Sequence, residues 1–439
     1  MKPEEKNLNF ELEEVPKHLR RTWFGMFSIL VAVGCDLASV MLGGQLANGM
    51  SLSNAILVAC VGALITASLC TICAVVGSST NLSTSMITKY VFGKYGALPF
   101  SLITGISLLG WYGVQVGFFA DNVQTLLQGY FGLAIDIKLL CFIGGMLMMT
   151  TSIYGFRAME KLSVWSVPFL LVLLLITLFL GLKNYSLPVE IKNLESFTFG
   201  SAVSIVISGY ILGAILQPDI SRWAKSKKDA IISTFFGILL GQIFMITLAI
   251  LLSKAMRTDD MMRIFLTLGL AIPGIIILTL TQWVTNTGNL YSSSLSFSLV
   301  FEKIPKKLLT IILGFIATGT AVFGIFENFI PFLEILAVFI APVGGIYVAE
   351  FFLVKTEFKR YQNRVEAQKI VVHSIISWVV GIIVTYLTTS QPTGLQLFSL
   401  TTIPSLDGFL TGFAVQAVIG KLLNHRVSIQ QSNVHDEKI

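Results

Sequence analysis

The chain has 439 residues, of which 54% are hydrophobic and only 12% are charged. Soluble domains carry roughly 25% charged residues, so this composition argues strongly against a soluble globular enzyme. The net charge of +6 does not indicate a nucleic-acid partner, because the basic residues lie between long apolar runs. We therefore expect a protein that crosses a membrane several times.

Apolar windows along the chain predict the transmembrane helices. A spanning helix needs about 20 mainly apolar residues, and twelve such windows occur. They are 22–47, 54–77, 99–128, 138–155, 162–182, 198–217, 231–253, 269–296, 308–326, 329–353, 370–389 and 399–420. Residues 1–21 are polar and of mixed charge, so no cleavable signal peptide is expected before them. The sequence predicts an all-α polytopic membrane protein.

The distribution of basic residues predicts the orientation. Twelve spans place both tails on one side of the membrane, and 24 of the 30 Lys and Arg residues lie in the tails and loops of that side. Cytoplasmic loops carry the excess of Lys and Arg. Both termini are therefore predicted to be cytoplasmic, in a plasma or bacterial inner membrane.

Signatures of catalysis are missing from the sequence. The five cysteines lie inside apolar runs and are expected to pack as small apolar residues. The spans contain no His/Cys/Glu constellation for hydrolysis, and the chain has no Gly-rich phosphate loop followed by Lys-Ser/Thr. We predict no enzyme activity and no cofactor.

Glycine and polar residues interrupt two of the apolar windows. The first contains Gly34-Cys35-Asp36, and the sixth contains Ser208-Gly209-Tyr210 followed by Gly213. Transporters build their sites at broken helices in corresponding positions of two inverted repeats, although glycines also serve close helix packing in lipid. Spans 1–5 and 6–10 would supply such repeats, since an odd number of spans reverses the second one.

Several segments in order along the chain resemble one family. They are Leu42-Gly43-Gly44-Gln45-Leu46, Gly110-Trp111-Tyr112-Gly113-Val114, Pro218-Asp219-Ile220-Ser221-Arg222-Trp223, Trp283-Val284-Thr285-Asn286 with Asn289-Leu290-Tyr291, and Ala341-Pro342-Val343-Gly344-Gly345. The chain resembles the nucleobase:cation symporter family (purine/cytosine permease family), and is most similar to its cytosine permeases.

The resemblance implies a leucine-transporter-type fold with broken helices 1 and 6 and two further helices at the end. The expected units are a cytoplasmic tail over 1–21, a first five-helix repeat over 22–182, a second over 198–353, two additional helices over 354–420 and a cytoplasmic tail over 421–439. The chain is expected to work as a monomer in the lipid bilayer.

The resemblance also implies a site for a flat heterocycle. The family stacks its ligand on aromatic residues that match Trp111 and Tyr210, and Gly209 adjoins the second of these. Leu108 and Thr281 stand where the cytosine permeases carry amides that bind the ring. Gln115 lies one turn beyond Trp111 on the same helix face, and Gln282 follows Thr281; either amide could bind the ring instead, or bond a neighbouring helix.

Asp36 is a carboxylate in the middle of a spanning segment, where charge is costly and usually faces a cavity or a partner. Three interpretations are open. It could pair with an amino or amidine-like group of the substrate, carry a coupled proton, or hydrogen-bond the broken backbone of span 6.

Coupling to Na⁺ would need oxygen ligands from the broken part of span 1, near Gly34, and from span 8. The two adjacent hydroxyl residues typical of sodium users match Val284 and Thr285, so one ligand is missing. Thr281, Thr285, Asn289 and Ser292 nevertheless form one polar helical stripe, which could complete a Na⁺ site at Thr281 and Thr285. The coupled ion is predicted to be H⁺ or Na⁺.

The expected function is secondary active uptake of a nucleobase or related nitrogen heterocycle, with a pyrimidine or aminopyrimidine favoured. The alternatives are transport of an amine or an amino-acid-like solute on the same fold, and a membrane sensor that transports nothing. Apart from lipid, the expected partner is the small heterocyclic substrate.

Overall fold

The structure is a computed structural model that describes residues 14–34, 37–154, 156–187, 196–298, 300–301 and 303–436. Within these ranges the chain is nearly all helical, and its only β-pairing is an isolated bridge between Arg21 and Ala224. A helix satisfies its own backbone hydrogen bonds, which is what lipid demands of a spanning segment. The predicted all-α class is confirmed.

The described residues form seventeen α-helices. They are α1 (Trp23–Gly34), α2 (Leu37–Gly49), α3 (Leu52–Thr80), α4 (Thr84–Phe92), α5 (Ala97–Phe131), α6 (Ile137–Tyr154), α7 (Phe156–Asn184), α8 (Phe199–Ile215), α9 (Gln217–Ser221), α10 (Lys227–Met256), α11 (Met261–Thr267), α12 (Ala271–Ser298), α13 (Lys306–Val322), α14 (Phe329–Ala349), α15 (Thr356–Gln362), α16 (Val372–Thr388) and α17 (Pro404–Asp436). A π-helical turn, Glu350–Val354, continues α14.

Length and apolar composition qualify five of these helices as membrane spans: α3, α5, α10, α14 with its π turn, and Pro404–Leu423 of α17. Shorter apolar helices occur in α6, α7, α8, α13 and α16. Each predicted window from the second to the twelfth coincides with a helix. The short helices α4, α9, α11 and α15 were not predicted, because they lie in polar connections or at the end of a window.

The interruption predicted in span 6 at Ser208-Gly209-Tyr210 is wrong in position. Helix α8 runs without a break from Phe199 to Ile215, and the helical path is interrupted at Leu216. Pro218 explains this position, because its ring lacks the N–H that would bond to residue 214 and clashes with the carbonyl there. The glycines at 209 and 213 are tolerated within α8, whereas its interruption lies beside Pro218. Pro168 and Pro342 lie inside α7 and α14 without ending them.

Span 1 is helical on both sides of its predicted interruption, as α1 and α2. Cys35 and Asp36 lie outside the described residues, so the predicted break there stays a prediction.

Helices α1, α2, α3, α8 and α10 pack as one group. Glycine permits the closest approaches: Gly34 of α1 lies against the backbone of Gly241 in α10, and a methyl group on Gly43 of α2 would lie 2.5 Å from the Cβ of Ala249 in α10. Small residues allow this kind of backbone-to-backbone packing between membrane helices.

Helices α5, α6, α12 and α13 form a second group joined by hydrogen bonds. The hydroxyl of Tyr112 in α5 donates to the carbonyl of Gly145 in α6 at 2.6 Å. Asn286 of α12 donates through Nδ2 to the carbonyl of Tyr112 at 3.1 Å, and the hydroxyl of Ser293 donates to the carbonyl of Gly105 at 2.9 Å. These bonds fix the register of α12 against α5.

Helix α14 packs against α8, α16 and α17. Gly345 of α14 lies against the carbonyl of Phe409 in α17, and Trp378 of α16 donates through Nε1 to the carbonyl of Phe339 in α14 at 3.0 Å. The last two long helices are thereby attached to the central ones through α14. The predicted unit boundaries at 182, 198, 353 and 420 stay predictions.

Candidate functional site

The interruption after α8 is supported by a tyrosine from another helix. Tyr347 of α14 is fully buried, and its hydroxyl donates to the carbonyl of Ile215, the last residue of α8, at 3.0 Å. The last carbonyls of a helix have no partner within the helix. Tyr347 supplies one, and so stabilises the point where the helical path is interrupted.

Trp111 lies inside the molecule, midway along α5, with 8% of its surface exposed. Its ring meets Phe329 and Phe332 of α14 edge to face, with centroids 6.0 and 5.6 Å apart. The same apolar cluster contains Leu42 of α2 and Leu108 of α5. The indole is therefore held between α14 and the interior of the molecule and does not face lipid.

Two glutamine amides are buried without their hydrogen bonds. Gln115 and Gln282 are each 1% exposed. In the described part of the chain, Oε1 of Gln115 and both amide atoms of Gln282 have no hydrogen-bond partner. A buried polar group without a partner costs about 1–3 kcal/mol, so such groups call for an explanation beyond packing.

The register of α5 against α12 puts the two glutamines at the same depth. Two hydrogen bonds join the antiparallel helices, Ser293 to Gly105 and Asn286 to Tyr112. They lie seven residues apart on α12 and seven residues apart on α5. One further turn brings Gln282 level with residue 116, the neighbour of Gln115. Both amides therefore lie at one level, about a turn along α5 from Trp111.

Asn286 and Ser293 are functional neighbours that the sequence reading missed. Both are fully buried, and they hold α12 on α5 through the bonds described above. The only sequence signal for them is the spacing of four, three and four in Gln282, Asn286, Asn289 and Ser293. Asn289 also belongs to the stripe that was predicted to be polar, and the other three residues lie beside that stripe.

The predicted stripe lies on a more open side of α12. Thr285 is exposed, and Thr281 is partly exposed. The hydroxyl of Thr281 donates to the carbonyl of Ile277 at 2.9 Å, and that of Thr285 donates to the carbonyl of Thr281 at 3.0 Å. Each hydroxyl oxygen keeps lone pairs for a cation. Their predicted role as Na⁺ ligands stays a prediction.

Tyr210 lies in a different apolar cluster from Trp111. Its ring packs with Leu30 of α1 and Cys70 of α3, among other residues. Gly209, the residue before it, faces α2, since a methyl group there would lie 2.6 Å from Cδ1 of Leu42. In this structure the two predicted stacking aromatics therefore belong to separate clusters.

Gly34 ends α1 and lies against the backbone of Gly241 and Gln242 in α10. Its predicted contribution to an ion site is untested. Asp36 is the central residue of the sequence-based site, and it lies outside the described residues.

A membrane helix that is interrupted after Ile215, together with buried amide atoms that lack partners among the described residues, indicates a class of protein. In membranes this arrangement is typical of secondary transporters, which place polar groups and helix ends around a site near the middle of the bilayer.

The family follows from comparison with known proteins. The family model for permeases for cytosine/purines, uracil, thiamine and allantoin matches residues 14–415, and the chain belongs to this family. The cytosine permease of Escherichia coli (strain K12) is 27% identical over 356 residues, which cover 80% of this chain and 83% of that protein. The chain is thus an integral membrane permease, and relatives of this kind are transporters and not enzymes.

Solved structures agree on the fold. The inward-facing conformation of Mhp1 matches with a TM-score of 0.77 at 16% identity, over 94% of this chain and 93% of that one. The closed conformation of Mhp1 with bromovinylhydantoin bound, described as a nucleobase-cation-symport-1 family transporter, matches with a TM-score of 0.74 at 17% identity, over 96% of each chain.

Proposed function

We propose that this chain imports a nucleobase or a related nitrogen heterocycle by symport with a cation, H⁺ or Na⁺, in an alternating-access cycle. A pyrimidine or aminopyrimidine is the favoured substrate. The observation that carries the proposal is the pair of buried amides, Gln115 and Gln282, with unused hydrogen-bonding atoms at one depth near Trp111.

A flat heterocycle fits these groups for two physical reasons. Its ring edge carries both donors and acceptors, which would satisfy amides that are costly to bury alone. Its face can stack on an indole, which binds π systems with little loss of side-chain entropy. A site built in this way rejects ligands that leave its amides unpaired, which favours ring nitrogens and exocyclic amino or oxo groups over a plain aromatic ring.

The helix contacts support two inverted repeats. Exchanging the two predicted repeats maps α1 and α2 on α8 and α9, α3 on α10, α5 on α12 and α6 on α13. Under this exchange the contact between α3 and α8 corresponds to the contact of α10 with α1 and α2. The contact between α5 and α13 corresponds in the same way to the contact between α12 and α6. Such paired contacts are expected if one repeat is related to the other by a pseudo-twofold axis.

The experiment that tests the substrate class is a thermal-shift screen of purified protein against nucleobases, aminopyrimidines, hydantoins, amines and amino acids, at low and high Na⁺ and at two pH values. At least one heterocycle is expected to raise the melting temperature, because a ligand that binds only the folded state stabilises it. A shift with an amino acid or an amine, and with no heterocycle, contradicts the proposal and favours the alternative solute class.

The coupled ion is tested at Asp36. If this carboxyl carries the proton, Asp36→Asn will take up substrate without the pH dependence of the unaltered protein. An active Asp36→Asn variant with an unchanged pH profile excludes that role. A dependence on Na⁺ that is lost in Thr285→Val would instead support a sodium site on α12.

A further inference from the structure

Glu350 is a buried carboxylate far along the chain from the predicted site. Glu350 is 0% exposed and lies where α14 gives way to the π turn Glu350–Val354. Its Oε1 accepts a hydrogen bond from the backbone N–H of Glu357 at 2.9 Å, and its Oε2 accepts one from Nε2 of Gln416 at 3.0 Å. The π turn ends this helix, since Lys355 after it has a φ of 65°.

The side chains that hold Glu350 in place are neutral and buried. Gln416 of α17 also donates through Nε2 to Ser374 of α16 at 3.1 Å, and its Oε1 accepts from the hydroxyl of Ser377 at 3.0 Å. All three of these side chains are 0% exposed. Across the described ranges the ion pairs are Arg263 with Asp260 and Arg360 with Glu357, so no cation pairs with Glu350 there.

The helices around Glu350 carry several ionisable side chains. Helix α15 brings Glu357, which pairs with Arg360 at 3.5 Å. Helix α16 brings His373, whose carbonyl accepts from Ser377 and whose Nε2 is buried without a partner in the described structure. Helix α17 carries the neutral Gln416 and, further along, the exposed Lys421. Lys355, which follows the π turn, is also exposed.

The carboxyl of Glu357 extends the acidic character of this region. Burial raises the pKa of Glu357, and the charge of Glu350 raises it further, while the hydrogen bond from Gln368 and the charge of Arg360 lower it. The backbone N–H of Glu357 donates to the carboxyl of Glu350, while the carboxyl of Glu357 accepts from Gln368 and pairs with Arg360. Removing the proton from either carboxyl therefore makes its removal from the other harder.

Glu350 accepts a hydrogen bond from the first turn of α15, so it has a structural role as well as an ionisable carboxyl. Burying a charge is costly unless the charge is paired and hydrogen-bonded. Ionisable residues at membrane depth usually mark ion or proton pathways. Glu350 has acceptors and donors around it but no countercharge, which suits a group that alternates between a neutral and a charged form.

Hydrogen bonds at both ends of α4 link the connection after Glu350 to the interruption after α8. Gln368 donates through Nε2 to Oε1 of Glu357 at 2.7 Å. The backbone N–H of Lys94 donates to the carbonyl of Gln368 at 2.8 Å, and that of Tyr95 donates to Lys369 at 2.9 Å. The connection that carries Glu357 and Gln368 is thus bonded to the end of α4.

The start of α4 is in turn bonded to α9. The backbone N–H of Thr84 donates to Oδ1 of Asp219 at 2.8 Å. Asp219 belongs to the short helix that follows the interruption at Leu216. These bonds and helix α4 join the region of Glu350 to the interruption after α8, and coupling between the two is open to measurement.

We propose that Glu350 is a proton-binding site of this transporter: its carboxylate takes up one proton to form the neutral carboxylic acid and releases that proton again in each transport cycle. The proposal rests on the proposed function and names a coupled ion for it. In the ionised state both oxygens accept the bonds described above. In the neutral state one oxygen of the Glu350 carboxyl carries the proton and donates. Gln416 must then turn its amide so that its oxygen accepts, which changes the hydrogen bond between α17 and the end of α14.

The first test needs no substrate. Infrared difference spectra of purified protein, taken between acidic and alkaline buffer, are expected to contain the carbonyl band of a carboxylic acid that disappears in Glu350→Gln. Gln has nearly the same shape and cannot titrate. The matched control is Glu366→Gln, which removes an exposed carboxylate from the same connection. Loss of the band only in Glu350→Gln supports the proposal, and its persistence there overturns it.

The second test measures coupling in proteoliposomes with radiolabelled cytosine and uracil. Glu350→Gln is expected to lose accumulation driven by an inward proton gradient while it keeps exchange of labelled for unlabelled base. Wild-type pH dependence in Glu350→Gln overturns the proposal. If the unaltered protein moves neither base, the proposed function loses support, while the infrared result still decides whether Glu350 binds a proton.

A third variant keeps the proposal testable should Glu350→Gln fail to fold. Gln416→Met removes one donor to the carboxylate at similar volume, so the ionised form is less stabilised. The midpoint of the infrared titration is expected to move to higher pH in Gln416→Met. An unmoved midpoint in a folded Gln416→Met protein overturns the proposal.

Discussion

Trp111 is held in place by two phenylalanines from a different helix, Phe329 and Phe332. An aromatic ring that is buried in edge-to-face contact with two other rings keeps one orientation. It therefore loses little side-chain conformational entropy when a ligand stacks on it. Its energetic contribution to binding can therefore be isolated by substitution.

Trp111→Ala is expected to weaken binding of the heterocycle found in the thermal-shift screen by about 1–3 kcal/mol, the range measured for base–aromatic stacking. Isothermal titration of purified protein measures the change in Kd. Trp111→Phe should retain most of the affinity. The control is Trp378→Phe on α16, another buried tryptophan, and an equal loss in that variant would mean that the effect is one of folding.

Replacement of Gln282 is expected to change stability and ligand binding in opposite directions. Gln282→Leu removes two buried atoms without partners, and is expected to raise the stability of the ligand-free protein by about 1–3 kcal/mol, the cost of such groups. Binding of the heterocycle should weaken in the same variant. Melting temperature and Kd, measured on one preparation, test both signs.

The control for Gln282→Leu is Asn286→Leu, four residues away on α12. The amide of Asn286 is buried but donates to the carbonyl of Tyr112, so its loss is expected to lower the melting temperature. If both variants behave alike, Gln282 is an ordinary packing residue and the candidate site loses its main support.

At the scale of single residues, the sequence predicted the kinds of side chain in the site better than their surroundings. Trp111, Gln115 and Gln282 could be chosen from helix spacing and family resemblance, and all three are buried. Asn286 and Tyr347 could not be, because their roles depend on carbonyls more than a hundred residues away in the chain. Nothing local in the sequence marks such a partner.

At the scale of helices, the interruption after α8 depends on two devices, Pro218 and the hydroxyl of Tyr347. The sequence reading placed this interruption at glycines 209 and 213 because it weighed glycine as a helix breaker. In a membrane segment glycine more often permits close packing, and here Gly209 faces Leu42 of α2. The proline signal was in the sequence and was the better guide.

Tyr347→Phe is expected to lower stability by about 1–3 kcal/mol, because it leaves the buried carbonyl of Ile215 without its donor. The matched control is Tyr112→Phe, which removes an equally buried hydroxyl that donates to Gly145 in the second helix group. Both variants should lose similar stability in thermal melts. Only Tyr347→Phe should change the maximal rate of uptake relative to equilibrium binding, and equal transport defects would contradict a role for Tyr347 at the interruption.

The arrangement of helices in the molecule was the least accessible from sequence. In a soluble helix, polar residues mark the outer face, but in lipid both the outward and the inward faces are apolar. The windows therefore predicted the spans but not that α1, α2, α3, α8 and α10 pack as one group beside α5, α6, α12 and α13. The resemblance to a family supplied that arrangement, and comparison with Mhp1 supports it at the level of the fold.

Orientation in the membrane follows from charge across the whole chain and is testable directly. Positive residues are retained on the cytoplasmic side, so residues near Lys89, Lys228 and Lys355 should be cytoplasmic, and residues near Lys138 and Arg257 should be outside. Single cysteines introduced at these lysines and this arginine, in a chain whose own cysteines are replaced by alanine or serine, can be labelled in intact cells with a membrane-impermeant maleimide.

Only the cysteines at positions 138 and 257 are expected to react before the cells are opened, and those at 89, 228 and 355 only afterwards. Lys138, Lys228, Arg257 and Lys355 are exposed and Lys89 is half-buried, so an exposed site that stays unlabelled after opening reports a folding defect. The reverse labelling pattern would mean that the molecule has the opposite orientation in the membrane. Glu350 would then titrate from the outer side, and a proton released there could not belong to an inward symport step.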